Sequence, residues 1–465
     1  MPIENFPAAL QPVIQENYLE RAFEKPLRAL LGYRSIADRE EFPNGIGETL
    51  TKTRAGLKAA ATTPLNPVNN TNFDNGLTSS SFGVEQYTLS INSYGDTIDL
   101  NTVTQGVGIA NQAVVNARVN GEQAARTLDT LARDALFGGA EMGVGGYLGG
   151  NTRVTVALTE AAASVAVDDL RGFMYVLTKN GVLAPVSATT PMTVIIGTNS
   201  YSVVGYTPDA VNVSTAPMGV SGVLNLSANA SVGDGALNSA VIASTAPMVI
   251  RPNDRPTTAA LVAPSGQYGS TAYNPGDVLF MQNVLAAVAT LRNNAVPEIN
   301  GAYHCYLDNS QLLGLFRDAD FKLLYQGQYK SESYRAGTVF ELLGVRFIPT
   351  NLAPQQLLGG VGRIHRALVC GQGALVEGDY TGTRDEAIRA AGGYPDDRTI
   401  SVVDGVSHIT REPLDRLKQI IAQSWNWIGG FALPTDLTAN PTVIPTATNS
   451  YLKRGVIIES LGITP

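Results

Sequence analysis

"ATTPLNPVNNTNFDNGLTSSSFGVEQYTLS" is the sequence of residues 61–90, and most of it has the pattern of neither a helix nor a buried strand. Up to residue 84 the segment is rich in Asn, Ser, Thr and Gly, contains two prolines, and has Asp74 as its one charged side chain. A compact domain rarely tolerates so long a stretch without a core of its own. We therefore expect residues 61–84 to lie on a surface that the rest of the chain, or a neighbouring chain, supplies.

The residues on either side of this stretch predict a two-stranded excursion from the body of the protein. Residues 85–100, EQYTLSINSYGDTIDL, alternate apolar and polar side chains, which predicts a half-buried strand. Before the stretch, residues 47–61 read GETLTKTRAGLKAAA and carry three basic side chains. A lone pair of strands is marginally stable in water. The excursion over 46–100 therefore has to rest on its own body or on another subunit.

A long helix is predicted directly after the excursion. Between residues 101 and 137, apolar side chains recur near helical spacing with alanine between them, and Gly138-Gly139 provide a C-terminal stop. A continuous helix of these 37 residues would be about 55 Å long at about 1.5 Å per residue. Such a helix is typical of a strut that spans a molecule.

The remaining segments mix helices and strands without a βαβ rhythm, which favours an α+β fold. Residues 16–41 are rich in charge and predict one or two short helices, which Pro26 would break or kink. Residues 186–250 contain two charged side chains, Asp209 and Asp234, and their short alternating runs predict a β-rich insertion over 185–262. The other predicted elements are a helix over 167–182, a helix capped by Asn274 and begun by Pro275 with Val278, Met281, Leu285, Val288 and Leu291 buried, a strand over 303–308, a helix over 309–326, and a helix or strand pair over 407–434 around Trp425 and Trp427.

Composition excludes several classes of function. A chain of 465 residues is too long for one core, so we expect two or three lobes. Charged residues make up 15% of the chain, against roughly 25% in typical soluble proteins. This favours a surface that meets other protein, although a Gly-rich and Ser/Thr-rich β protein would also fit.

With a net charge of −8, the chain lacks the basic surface of a protein that reads nucleic acid, so DNA could lie nearby without tight binding. We expect no signal peptide, no membrane span and no disulfide framework.

The common catalytic and nucleotide-binding motifs are absent from the sequence. There is no GxxxxGK[ST], HExxH, GxSxG or GxGxxG, so we expect no enzyme, no cofactor and no metal site. His304 and Cys305 are adjacent on a predicted strand and would point to opposite faces, which disfavours a nucleophile–base pair. His365 is expected in a solvated loop, His408 is expected to have no special role, and Asp318 and Asp320 are expected on a solvated helix face.

The order of these parts resembles the major capsid protein of tailed bacteriophages, whose shell fold is shared by encapsulins and the herpesvirus capsid floor. An arm leads to a long extended loop, then to a strand and a strut helix that ends ARTLDTLARDALFGG, and then to a mixed lobe with a β-rich insertion. The better local similarities are the Y-x-C-x-L-D pattern of YHCYLD, GVRFIPTN and GQGAL. The match covers nearly the whole chain as an architecture.

The resemblance implies a protein that self-assembles into hexamers and pentamers of an icosahedral shell around a phage genome. The shell would be the virion capsid, assembled in the host cytoplasm. Its implied partners are copies of itself, a portal protein, a possible decoration protein, packaged DNA without sequence-specific binding and, because the arm is short, a separate scaffolding protein. The implied segments are an N-terminal arm (1–45), an extended loop (46–84), a peripheral domain with its spine helix (85–137), an axial domain (138–184 and 263–400), the insertion (185–262) and a return to the periphery (401–465).

In this family the extended loop lies over the neighbouring subunit of the same capsomer. That implies a set of candidate residues for contact between subunits, with basic loop residues meeting acidic residues of the adjacent spine helix. The candidates are Lys52, Arg54, Lys58, Phe73 and Phe82 on the loop, and Glu122 and Asp129 on the helix. The alternatives are an encapsulin-like compartment shell, or a β-rich phage tail or surface protein.

Overall fold

The computed structural model describes the greater part of the chain. The described residues are 18–29, 32–42, 49–55, 84–101, 112–137, 146–147, 150–167, 169–170, 172–177, 183–209, 221–243, 249–255, 261–266, 271–272, 274–326, 341–358, 361–380, 399–413, 416–417, 419–434 and 454–463.

Helices and strands are mixed through these residues, which confirms the α+β class. The helices are α1 (Tyr18–Ala29), α2 (Gln112–Phe137), α3 (Met281–Asn293), α4 (Asn309–Arg317) and α5 (Ala319–Gln326), with 3-10 segments at Tyr33–Ile36 and Pro252–Asp254. The strands are β1 (Ala37–Phe42), β2 (Thr49–Ala55), β3 (Val84–Ser90), β4 (Asn92–Asn101), β5 (Asn151–Arg153), β6 (Ala162–Val167), β7 (Tyr175–Leu177), β8 (Leu183–Pro185), β9 (Met192–Ile196), β10 (Asn199–Pro208), β11 (Gly222–Ala230), β12 (Ala240–Ala243), β13 (Val249–Ile250), β14 (Tyr303–Leu307), β15 (Glu341–Leu342), β16 (Val345–Pro349), β17 (Gln355–Leu358), β18 (Gly362–Cys370), β19 (Leu375–Tyr380), β20 (Ile400–Val403), β21 (Val406–Arg411), β22 (Ile420–Ala432) and β23 (Gly455–Leu461).

The first sheet is built around the long strand β22. Its order is β1-β19-β22-β21-β20, and β4 also pairs with β22 over the ten residues Asn92–Asn101. Alternate side chains of β22, including Trp425 and Trp427, are buried on one face, as a half-buried strand requires. Of the two predictions for 407–434, the strand pair is confirmed, because β21 and β22 are antiparallel neighbours.

Helices α1 and α2 pack against each other on the buried face of this sheet. Phe23 and Leu27 of α1 and Leu128 of α2 are fully buried in one core with both tryptophans. The helices approach closely because Gly121 of α2 has no side chain: a Cβ there would collide with the Phe23 carbonyl oxygen and lie 2.9 Å from Cγ of Pro26. Pro26 does not end α1, contrary to the expected break, and the helix continues to Ala29.

The second sheet has the order β13-β23-β18-β14-β16-β15, with β17 also paired to β18. Helix α3 covers it, and its residues Val284, Val288 and Leu291 share a core with Cys305 and Val369 of the sheet. The C-terminal strand β23 lies inside this sheet between β13 and β18.

The third sheet closes into a small barrel. Its order is β5-β12-β9-β10-β11-β6, and an antiparallel bridge between Val154 and Val167 joins the two ends. The amide of Thr155 also donates to the carbonyl of Ala166 at 2.9 Å. The interior is filled by apolar side chains such as Val194, which alternate along the strands. The barrel contains β9 to β12 of the predicted β-rich insertion, whereas β13, which also lies within 185–262, joins the second sheet.

The barrel begins well before residue 185, which corrects the predicted segment boundaries. Strands β5 and β6 belong to it, although the sequence placed them with the axial segment 138–184. Strand β23 lies within the predicted return to the periphery, 401–465, but pairs in the second sheet with strands of the predicted axial domain. Strand β19 lies within the predicted axial segment 263–400 but pairs in the first sheet. These strands find partners far away along the chain, which local patterns do not reveal.

Several predicted helices differ from the structure. The helix over 167–182 is wrong: β6 ends at Val167, Gly172 has φ +82°, and β7 follows. The spacing of Leu170 and Phe173 reflects their burial in the barrel core rather than a helix face. The long helix is present as the 26 residues of α2, about 39 Å at about 1.5 Å per residue; the predicted start over 102–111 lies outside the described residues.

Helix α3 begins later than predicted, at Met281. The side chain of Asn274 accepts from the amide of Gly276 at 2.9 Å and so forms a turn instead of a helix cap. Gly276 has φ +65°, which a helix does not allow. Of the expected buried stripe, Leu285 is 37% exposed and Val284 takes its place in the core.

The predicted helix over 309–326 is divided at Asp318 into α4 and α5. The Asp318 carboxylate accepts from the amide of Met281 at 2.9 Å and from the amide of Asp320 at 3.1 Å. The expectation of a solvated face at Asp318 is therefore wrong, because this side chain joins the first turn of α3 to the start of α5.

We predict that Gly121→Ala destabilises the subunit by about 1–3 kcal/mol, because the new methyl group forces α1 away from α2. Thermal unfolding of the unassembled chain measures the effect. Gly314→Ala in α4 is the matched control: its Cβ would be 3.4 Å from the nearest atom, the Leu279 carbonyl oxygen, so helix propensity should leave stability unchanged or raised by up to about 1 kcal/mol. Equal effects at the two glycines would contradict the close approach of the helices.

Candidate functional site: two assembly surfaces

The first surface is a ribbon made of β2 and β3. The strands are antiparallel, with register from Thr49 opposite Ser90 to Ala55 opposite Val84. This pairing confirms a two-stranded excursion but corrects its predicted extent of 46–100, because the returning strand ends at Ser90 and residues 92–101 form β4 on β22. The two strands are connected by the 28 residues 56–83, which lie outside the described residues.

The base of the ribbon is attached to the first sheet by apolar packing and by charge. Leu89 is fully buried against Val376 and Ala432, and Leu50 packs beside it. We name the ion pairs next to this contact the base ladder: Lys52 Nζ lies 2.6 Å from Glu40 and Arg54 Nη2 lies 3.8 Å from Asp38, both on β1.

The second surface is a groove between α2 and β4, with a volume of about 580 Å³. Its apolar floor includes Ile98, Leu131 and Val119, of which Val119 is 41% exposed. The lining residues are Asp96, Ile98, Val119, Glu122, Gln123, Arg126, Thr127, Thr130 and Leu131. Among the described residues β4 pairs with β22 alone.

Polar contacts fix one end of the groove. Gln123 receives a hydrogen bond from the Trp425 indole at 3.2 Å, and its amide nitrogen donates to the Asp96 carboxylate. This bond, together with one from the amide of Thr97, lowers the pKa of Asp96 from its usual range. The groove therefore presents a fixed carboxylate beside an apolar floor.

A buried network ties the arm to the body behind the groove. The Asp129 carboxylate accepts from the amides of Gly32 and Arg34 at 3.0 and 3.1 Å. Burial raises the pKa of Asp129, although these hydrogen bonds oppose the shift. The Arg34 guanidinium forms a bidentate pair with Glu377 at 2.5–3.1 Å and donates to the Asp404 carbonyl at 2.7 Å. We call these contacts the arm anchor.

Aromatic packing completes the arm anchor. The ring of Tyr33 stacks on Tyr306 of β14 with centroids 4.8 Å apart and meets Phe137 edge-on. The Tyr306 hydroxyl donates to the carbonyl of Gly32 at 3.1 Å. One short segment, residues 32–36, therefore contacts α2, the first sheet and the second sheet.

The structure describes four of the candidate residues for contact between subunits, and they lie in different environments. Asp129 is 2% exposed and engaged within its own chain, so its carboxylate is not offered to a neighbour. Lys52 and Arg54 belong to the base ladder. Glu122 lines the groove, 3.7 Å from Arg118 one turn away. Lys58, Phe73 and Phe82 lie outside the described residues, and contact with a neighbouring chain stays a prediction for the whole set.

The prediction of a solvated loop at His365 is wrong. This histidine lies in the centre of β18, is 4% exposed, and places Nδ1 against the Asp308 carboxylate. His408 is also buried, stacked on Phe23, and burial lowers its pKa to about 4. Cys305 lies in the second-sheet core, where burial raises the pKa of its thiol to about 12, while Tyr306 next to it faces the other core.

Sequence reasoning missed Arg34 and Glu377, which form the strongest contact of the arm anchor. A signal for Glu377 is present in the strand ALVEGDY, where this acid follows directly on an apolar run. A charge at such a position requires a partner when the strand is central to a sheet. Its partner is 343 residues away in the chain, so the sequence pattern does not identify it.

No group of three or more His, Cys, Asp or Glu side chains suited to a metal ion occurs among the described residues. Within the same residues, no helix combines the length and apolar character needed to cross a membrane.

Comparison with known proteins finds matches among solved structures alone. No protein-family model and no curated protein matches the chain. The chain is similar to phage capsid proteins. It is 10% identical to the capsid of Ralstonia phage GP4, covering 93% of this chain and 89% of that one with a TM-score of 0.48. It is 9% identical to the capsid of cyanophage P-SCSP1u, covering 92% of this chain and 87% of that one with a TM-score of 0.43. It is 8% identical to the SrpI encapsulin of Synechococcus elongatus PCC 7942, covering 94% of this chain and 90% of that one with a TM-score of 0.38.

We predict that Glu377→Gln lowers the free energy of unfolding by about 3 kcal/mol, because it leaves the buried Arg34 charge without its counter-charge. Urea unfolding of the unassembled chain at neutral pH is the measurement. Glu341→Gln, at an exposed position of β15, should change stability by less than about 0.5 kcal/mol. A small effect at Glu377, similar to that at Glu341, would show that the arm anchor does not hold the fold.

Proposed function

We propose that this chain is a major capsid protein, which assembles into the hexamers and pentamers of an icosahedral shell around a phage genome. The observation that carries the proposal is the ribbon. Its base is packed on the first sheet, but its two strands are joined by 28 residues with two charged side chains, Lys58 and Asp74, and few large apolar ones. A segment of that composition cannot build a core of its own, so it needs another surface.

The groove offers that surface on the next copy of the chain. Its apolar floor of Ile98, Val119 and Leu131 suits the aromatic side chains of Phe73 and Phe82, and Glu122 is an acidic partner for Lys58. Lys52 and Arg54 would affect this contact indirectly, because they form the base ladder with β1 and so set the direction in which the ribbon leaves it. Each subunit then gives a ribbon to one neighbour and receives one from another, a heterologous contact that closes into a ring.

Low charge supports assembly from many identical copies. With 15% charged residues, little desolvation of charge is needed at each contact. The net charge of −8 would keep packaged DNA from adhering to an inner wall made of this protein. The role is structural, and the same shell could enclose protein cargo instead of DNA, as in an encapsulin.

Further partners follow from the proposed role. A separate scaffolding protein would set the curvature, a portal protein would occupy one vertex, and a decoration protein could bind outside. Assembly would take place in the host cytoplasm before the shell becomes the virion capsid.

Negative-stain electron microscopy of the purified chain, alone and with a candidate scaffolding protein, tests this function. We expect rings of five or six subunits, closed shells or aberrant spirals. The nucleic acid content of closed shells separates a genome container from a protein compartment. A homogeneous small particle that never assembles under either condition would overturn the proposal and favour a tail or surface protein.

We predict that Glu122→Lys reduces the yield of rings and shells several-fold, because it places a like charge opposite Lys58 of the neighbouring copy. The reversed pair Lys58→Glu with Glu122→Lys should restore most of the yield. Sedimentation velocity gives the assembled fraction. Glu341→Lys, an exposed acid on β15, is the control and should assemble normally. Normal assembly of Glu122→Lys, or of Lys58→Glu alone, would contradict the predicted contact.

A further inference from the structure

Helix α1 depends on its packing for stability. It has 12 residues, a length at which an isolated helix is marginal in water, and Pro26 lies inside it. An interior proline removes one backbone hydrogen bond and strongly disfavours a helix. The helix is held instead by Phe23 and Leu27, which are fully buried in one core with the first sheet. A change that weakens this packing therefore releases α1.

A histidine lies in the packing between α1 and the first sheet. His408 of β21 is 3% exposed, and its ring stacks on that of Phe23 with the centroids 4.8 Å apart. Its register partner on β22 is Trp425, which belongs to the same core. Among the described residues, no group forms a hydrogen bond with its Nε2. The contact that holds α1 therefore includes a ring that can take up a proton and has no acceptor for it.

The elements around His408 supply no charge to balance such a proton. Along α1 the described charged side chains are all at half-buried or exposed positions: Glu20, Arg21, Glu24 and Lys25. On β21 itself, Thr410 is the next side chain on the same face, and Arg411 alternates to the other face. On β20 the register partner of His408 is the uncharged Ser401.

The other charged groups of this region are engaged elsewhere. Asp129 of α2 and the pair between Arg34 and Glu377 belong to the arm anchor. Asp96 of β4 lines the groove on the far side of Trp425, so the indole separates its carboxylate from the histidine. A proton on the buried ring would therefore remain an unpaired charge.

We propose that α1 is an acid-sensitive latch, which is closed on the first sheet while His408 is neutral and opens when this ring gains a proton. In the closed form the charge would lie between Phe23 and Trp425, and burying it unpaired costs more than a cation gains from an aromatic face. The ring regains water only if a neighbour moves. Strand β21 is hydrogen-bonded on both sides, to β20 and β22, whereas α1 is held by the packing of its side chains, so α1 is the element that moves.

Acid favours the open form. Burial lowers the pKa of His408 in the closed form from about 6.5 to about 4, so the ring binds its proton more readily when α1 is open. The latch is therefore fully closed above about pH 6.5 and becomes less stable as the pH falls toward about 4. Within this window the ratio of open to closed molecules rises by up to about tenfold for each pH unit.

Hydrogen exchange of the full-length, unassembled chain, followed by mass spectrometry, tests the latch. After correction for the effect of pH on the intrinsic exchange rate, the amides of α1 should exchange roughly tenfold faster at about pH 5 than at about pH 6.5. The amides of α3 serve as the internal reference, because this helix packs on the second sheet, and their protection should change little.

Variants assign the response to this ring. His408→Phe keeps an aromatic stack on Phe23 but cannot gain a proton, so α1 should exchange equally at the two pH values. His408→Gln gives the same test with an uncharged side chain that avoids the extra bulk of a phenyl ring. His304→Gln is the matched control and should respond like the wild type. His304 is also buried with a lowered pKa, but its ring lies beside Tyr306 of the second sheet.

Unchanged protection of α1 between the two pH values in the wild type would overturn the latch. An undiminished response in both His408 variants would overturn it too, since a carboxyl group such as that of Asp129 would then be responsible. The exchange measurement needs no assembly, so its outcome is separable from that of the proposed function. A chain that forms shells without the response has the function and no latch, and a chain that never assembles but shows the response has the latch alone.

Discussion

The buried pair between Arg34 and Glu377, with the Asp129 bonds beside it, is the constraint on which the rest of the structure depends. Two charges taken out of water are tolerated only when each has its partner and its hydrogen bonds. Here Arg34 has Glu377 as its counter-charge and the Asp404 carbonyl as a further acceptor, while residues 32–36 contact α2, the first sheet and Tyr306 of the second sheet. Residues 32–36 therefore fix the relative positions of parts that are hundreds of residues apart in the chain.

The arm anchor also determines where the ribbon leaves the body. Strand β1 follows the anchor directly and runs parallel to β19, which carries Glu377. Asp38 and Glu40 of β1 then hold Lys52 and Arg54 of the ribbon. A buried ion pair thus positions a segment whose composition requires a surface from elsewhere. Under the proposed function, the surface that residues 56–83 need would come from a neighbouring copy of the chain.

The sequence predicted the elements whose pattern lies within their own residues. The ribbon, the strand YHCYL and the C-terminal part of α2 follow from local alternation or helical spacing. Predictions were wrong where a distant partner or a single backbone angle determines the local structure. The helix predicted over 167–182 is absent because Gly172 has a positive φ, and β23 pairs in a sheet whose other strands lie far before it in the chain. Asp129 was expected to face the loop of a neighbouring copy, because nothing local indicates that the amides of Gly32 and Arg34 cover it. His365 looked like a loop residue for the same reason, since its partner Asp308 comes from another element.

A cryo-electron microscopy reconstruction of the assembled particle would show whether each copy completes the next. We expect residues 56–83 of one subunit, which connect its two ribbon strands, to lie along the groove between α2 and β4 of a neighbour, with the arm anchor intact within each chain. A reconstruction in which residues 56–83 fold back on their own chain, with the groove of each neighbour empty, would contradict this arrangement.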